Sequence, residues 1–86
     1  MPKISKYYGI AIYMYYRDHS PPHFHAIYGE HEAVIEIATG KAMDGSLPRR
    51  ALKLVVEWTK ARRSELEEDW ARAQAGQPLQ PIDPLD

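Results

Sequence analysis

The chain has 86 residues, a formal net charge of -1, 44% hydrophobic and 27% charged residues, and no cysteine. That size suits one domain with a small core, helped by an oligomer or a bound partner. Disulfides, thiolate metal sites and thiol nucleophiles are excluded, and so is a strong overall field that would collect nucleic acid.

Met1 to Lys6 lacks the apolar centre of a signal peptide, and no apolar run approaches the roughly 18 residues of a membrane span. A soluble, cytoplasmic protein with no membrane partner is expected. Met1 to Gly9 reads as a lead-in, with Ile4 and Tyr7-Tyr8 able to begin a short strand. Ile10 to Arg17 reads as the first clear strand. Alternation puts Ile10, Ile12, Met14 and Tyr16 on the core face, and Tyr13, Tyr15 and Arg17 on the other.

Asp18 to Pro22 is a turn made stiff by two prolines. His23 to Tyr28 reads as the second strand, with Phe24 inward and His23 and His25 together on the outward face. Gly29-Glu30 closes a hairpin, and Glu32 to Ala38 forms a third strand with Ala33, Ile35 and Ile37 inward. Lys41 to Asp44 suits a short edge strand.

Ser46 or Leu47 starts a helix in which Ser caps and Pro48 sits in the first turn. Ala51, Leu52, Val55, Val56 and Trp58 recur at helical spacing. The polar stretch around Lys60 to Arg63 ends it. Ser64-Glu65-Leu66-Glu67 has the form of a capping box for a second helix running to about Ala75, with Leu66, Trp70 and Ala73 on one face. Gly76 and Pro78 stop it. The expected fold is α+β: a three- to four-stranded antiparallel meander followed by two C-terminal helices packed on one face. A single domain spans 1–76, and a proline-rich tail, 77–86, lies against it through Leu79, Ile82 and Leu85.

Chemistry concentrates in Asp18-His19-Ser20-Pro21-Pro22-His23-Phe24-His25-Ala26, which holds three of the four histidines. Two histidines two apart on a strand project the same way and can share a divalent ion, with Asp18, His19 or Glu36 as third ligand. The same face suits acid–base catalysis: His23, His25, Tyr15 and Arg17 can supply a base, an acid and a cation for a developing phosphorane, and Tyr13 and Tyr15 can stack unpaired bases. Asp18 and His19 are further binding candidates. Arg49 and Arg50, in the first turn of the first helix, can grip a phosphate. The alternative for the histidines is structural, a half-buried pair bonded to carboxylates that keeps the hairpin in register. Trp58 and Trp70 read as core, and His31 as an idle turn residue.

The Pro-Pro-His-Phe-His-Ala string resembles the signature of a family of small bacterial and archaeal proteins known as a domain of unknown function. Met14-Tyr15, Tyr28-Gly29, Gly45-Ser46-Leu47-Pro48, Val56-Glu57-Trp58, Glu65-Leu66 and Trp70 extend the likeness. The resemblance implies the toxin of a type II toxin–antitoxin pair, acting on RNA or the translation machinery and neutralised by a small cognate protein. It supplies no catalytic residue set. A non-enzymatic protein- or nucleic-acid-binding module and a His-based metal-binding protein are the competing readings. No cofactor is expected beyond a possible divalent metal.

Overall fold

The protein is described by a computed structural model covering residues 2–85. Five strands form one antiparallel sheet in sequence order: β1 Lys3–Tyr7, β2 Ile10–Tyr13, β3 His23–Tyr28, β4 His31–Glu36 and β5 Ala42–Gly45. Two helices follow, α1 Arg49–Ala61 and α2 Arg63–Gln74. The α+β meander with two C-terminal helices is as expected, with one strand more, because the lead-in pairs with β2 from Lys3 onward.

Turn chemistry sets the register. Tyr7 pairs with Ile10 across the two-residue turn Tyr8-Gly9, whose φ angles are 49° and 79°. Two positive φ values in succession give the mirror-image turn whose twist matches the strands it joins. Tyr28 pairs with His31 across Gly29-Glu30, where Gly29 takes a φ of 59°.

Strand alternation then sorts the faces. Ile10, Ile12, Phe24, Ala26, Ala33 and Ile35 are all buried on the side that the helices cover. α1 presents Ala51, Val55 and Trp58 at helical spacing, all buried. The Trp58 ring meets Phe24 edge-on at 5.6 Å and Tyr7 at 5.2 Å. α2 adds Leu66 and Ala73. Ile37 is also buried, as its alternation requires.

Three local expectations are corrected. β2 ends at Tyr13 rather than Arg17, because Arg17 turns to a φ of 55° and donates its N–H to the Ala73 carbonyl of α2. Tyr16 is therefore exposed and not part of the core. Ser46 does not cap α1: Pro48 holds the N-cap position without a side-chain cap, and the Ser46 N–H is donated to the Glu32 carbonyl. Ser64 does not cap α2 either, because Arg62 serves as the last cap of α1 and the first of α2, leaving Ser64 inside the helix.

Gly76, with a φ of 73°, ends the helical path, and the segment after it lies on the body. Ile82 is buried and donates its N–H to the Ile4 carbonyl at 2.8 Å, which occupies part of the outer edge of β1. Leu79 and Leu85 are half-buried against the core. The Trp58 indole donates to the Asp83 carbonyl at 2.8 Å. The Gln80 N–H is donated to Oδ1 of Asp69, a fully buried carboxylate, at 2.9 Å. The same Oδ1 accepts from the Arg72 guanidinium at 3.0 Å, one helical turn on, whereas the Gln80 N–H lies eleven residues away and no local pattern signals it.

Candidate functional site

The site grows from strand parity. His23 and His25 share one face of β3, opposite Phe24 and Ala26. Register places His25 between Tyr13 of β2 and Val34 of β4, and His23 beside Glu36. The face is the one that the helices leave uncovered along most of its length. At the His23 end, the Trp70 ring of α2 lies 5.2 Å from the imidazole, and His23 is only 4% exposed.

The loop between β2 and β3 brings Asp18 over the two rings. It turns through a cis Ser20–Pro21 bond. It is fastened to the end of α2 by the Arg17 N–H to Ala73 and by the Gln74 side-chain amide, which donates to the Asp18 carbonyl at 2.9 Å. Asp18 Oδ2 stands 2.8 Å from His23 Nε2 and 3.8 Å from His25 Nε2. One donor atom from each of Asp18, His23 and His25 lies within 4.8 Å of the other two.

The remaining ring nitrogens are also engaged. His23 Nδ1 lies 2.7 Å from the Pro21 carbonyl, and His25 Nδ1 lies 3.1 Å from Glu32 Oε2. A carbonyl and a carboxylate only accept, so each Nδ1 carries the proton and donates it. Both Nε2 atoms are then left to face the Asp18 carboxylate, which again only accepts. His25 Nε2 is buried and has no hydrogen-bond partner among the described residues. The cluster therefore has more electron pairs than protons to fill it. A proton or a metal cation between these atoms relieves that excess.

The two acids beside the cluster respond in opposite directions. Burial works against ionisation of Asp18, but the His19 N–H and the His23 ring outweigh it and hold the carboxyl below its ordinary range. The Tyr15 phenol is pushed up by burial and then by the negative charges of Glu32, Tyr13 and Asp18. Its ring meets His25 edge-on at 4.4 Å. Burial accounts for most of that shift; the part due to the carboxylates of Glu32 and Asp18 adds negative potential beside His25, which favours a cation.

Each candidate from the sequence can now be placed. His23, His25, Asp18, Tyr13 and Tyr15 come together. His19 is exposed, its Nδ1 3.0 Å from Asp18 Oδ1 at the rim. Glu36 accepts from the Thr39 hydroxyl at 2.7 Å. Arg17 turns away along α2, where a Cβ on Gly76 would stand 3.0 Å from its guanidinium. Arg49 and Arg50 begin α1 at the Tyr28 end of the sheet. Tyr28 and His23 are five residues apart on β3, about 17 Å at roughly 3.4 Å per residue. Glu32 and Trp70 were not foreseen as site residues. Glu32 had a signal: it lies diagonally across the β3–β4 pair from His25, within side-chain reach.

An α+β domain with an imidazole–imidazole–carboxylate cluster at its sheet surface is the class that fold and site define. The chain belongs to a family described as a domain of unknown function, DUF4160, whose model matches residues 9–71. No curated protein and no solved structure matches it. Among the described residues, no helix is long and apolar enough to cross a membrane.

Proposed function

We propose that Asp18, His23 and His25 form a divalent-metal centre and that the protein acts through it as a His-based metal-binding protein. The observation that carries this is the convergence of their three donor atoms within 4.8 Å, with the other nitrogen of each imidazole held by an acceptor. Metal-bound histidines use that second nitrogen in this way, which fixes the tautomer and aims the lone pair. Two imidazoles and a carboxylate suit zinc or another borderline divalent ion, and three protein ligands leave a coordination position open, as in catalytic centres. Tetrahedral ligands about 2.0–2.1 Å from zinc are about 3.3 Å apart. The Nε2 to Oδ2 distances of 2.8 and 3.8 Å lie on either side of that value.

Metal-free acid–base catalysis has less support, because both Nδ1 atoms are held by acceptors and both Nε2 atoms face the Asp18 carboxylate, which leaves no ring nitrogen turned to a substrate. The toxin role implied by the family resemblance, with RNA or the translation machinery as target and a small cognate protein as neutralising partner, is assigned to the same centre. Its support is the pair Tyr13 and Tyr15 beside the cluster, rings of the kind on which unpaired bases stack.

The test is calorimetric titration of chelator-dialysed protein with zinc, and with cobalt followed by its visible absorption. One ion per chain is expected. Asp18→Asn and His25→Ala should each weaken binding by at least about 100-fold, and Glu32→Gln by about 10- to 100-fold. Growth inhibition by the expressed protein, lost in Asp18→Asn, tests the toxin role separately. Dialysed protein that takes up no metal, or a folded His25→Ala that binds it as before, would end the metal reading.

A further inference from the structure

A second feature lies at the opposite end of β3. Tyr8, Ile10 and Tyr28 at the sheet end, with Pro48 just before α1 and Arg50 and Leu54 on it, line a cleft of about 500 Å³. That volume falls within the roughly 300–1,000 Å³ of small-molecule sites. Ile10, Ala51 and Leu54 supply apolar lining, with Ile10 itself fully buried behind it. Its rim carries two large rings that the fold leaves in solvent, Tyr8 at 59% and Tyr28 at 39% exposure. The Tyr28 ring lies over the β1–β2 turn, where a Cβ added to Gly9 would stand 3.3 Å from it.

Charge identifies the occupant. Arg50 reaches this cleft and, among the described residues, makes no ion pair or hydrogen bond with another side chain. Arg49 precedes it, the first turn of α1 contains no acidic residue, and no carboxylate lines the cleft. An unpaired guanidinium beside two aromatic rings and an apolar lining matches a ligand with a flat apolar body and one acidic group. The guanidinium takes the acid through paired N–H donors, and the tyrosines take the body.

We propose that this cleft binds a small aromatic organic anion. Nothing in the argument uses the histidine cluster, so the site stands or falls independently of the metal centre. The probe is 8-anilinonaphthalene-1-sulfonate, with the uncharged N-phenyl-1-naphthylamine as its comparison. Titration followed by fluorescence and by backbone amide shifts should show one bound molecule, with shifts concentrated at residues 8–10, 28 and 48–54. The neutral compound should bind at least about tenfold more weakly, and Arg50→Gln, an exposed substitution that leaves the circular dichroism unchanged, should cost the sulfonate at least about tenfold. Chelator should change nothing. Shifts centred elsewhere, equal affinity for the two compounds, or undiminished binding by Arg50→Gln would overturn the proposal.

Discussion

Tyr7 is an aromatic side chain closed beneath the helices with a hydroxyl that has no hydrogen-bond partner among the described residues. Burying a hydroxyl unpaired costs about 1–3 kcal/mol by protein measures. Burial also pushes its phenol far above the ordinary value of 10.0. The unfolded chain therefore releases this proton near pH 10 while the folded chain keeps it. Stability linked to Tyr7 is complete below the unfolded value and is lost as pH rises above it. Tyr7→Phe keeps the ring against Trp58 and removes the hydroxyl. Its stability at pH 7 should equal the parent's or exceed it by up to about 1 kcal/mol, and its alkaline unfolding midpoint should move upward. Urea unfolding at pH 7 and a circular-dichroism titration above pH 9 measure both. A loss beyond about 1 kcal/mol at pH 7 would mean that the hydroxyl is satisfied after all. At this same scale, parity rules were enough to place His23, His25 and Tyr13 together, because alternation along a strand is a property of the backbone. The sealing of His23 by Trp70 and the Gln80 N–H that joins Arg72 at buried Asp69 are contacts 47 and 11 residues away in the chain, and no local pattern encodes them.

Elements were legible where hydrophobic periodicity and glycine turns agree, as in β3, β4 and the hairpin between them. They were less legible where hydrogen-bonding competition decides a boundary. Ser46 and Ser64 have cap chemistry, yet the chain uses Pro48 and Arg62, because Ser46 is bonded back to Glu32 of β4 and a single residue, Arg62, joins α1 to α2. The C-terminal segment shows how much a stretch without secondary structure can contribute. Ile82 occupies an edge hydrogen bond of β1, Asp83 accepts from the Trp58 indole, and Gln80 satisfies one oxygen of buried Asp69. Ending the chain after Gly76 removes all three and leaves a buried carboxylate with less compensation. Loss of a buried aliphatic side chain alone costs about 2–5 kcal/mol. Ile82→Ala should accordingly lower stability by about 3 kcal/mol, and truncation after Gly76 by more. Chemical denaturation of both variants checks this, and a truncated chain as stable as the parent would show that the tail only rests on the surface.

For the molecule as a whole, small size makes the proposed metal centre easy to detect. A chain of 86 residues buries a modest fraction of its surface and has little stability in reserve. Its ligands come from two places, Asp18 from the β2–β3 loop and the histidines from the middle strand of the sheet. That loop is bonded to the end of α2 through Arg17 and Gln74. An ion held by all three residues therefore ties sheet and loop together, and neither can unfold without releasing it. Zinc at about 100 times its dissociation constant adds about 2.7 kcal/mol to the folded state. Domains of this size gain about 4–8 °C in Tm per kcal/mol, so a rise of at least about 10 °C is expected over chelator-treated protein. Asp18→Asn should lose most of that rise while melting cooperatively. The comparison locates the ion as well as detecting it, because His19 and His31 remain exposed in the variant and can still bind zinc at the surface. A rise that persists in Asp18→Asn would move the ion away from the cluster, and no rise in the parent at millimolar zinc would leave the cluster held together by protons alone.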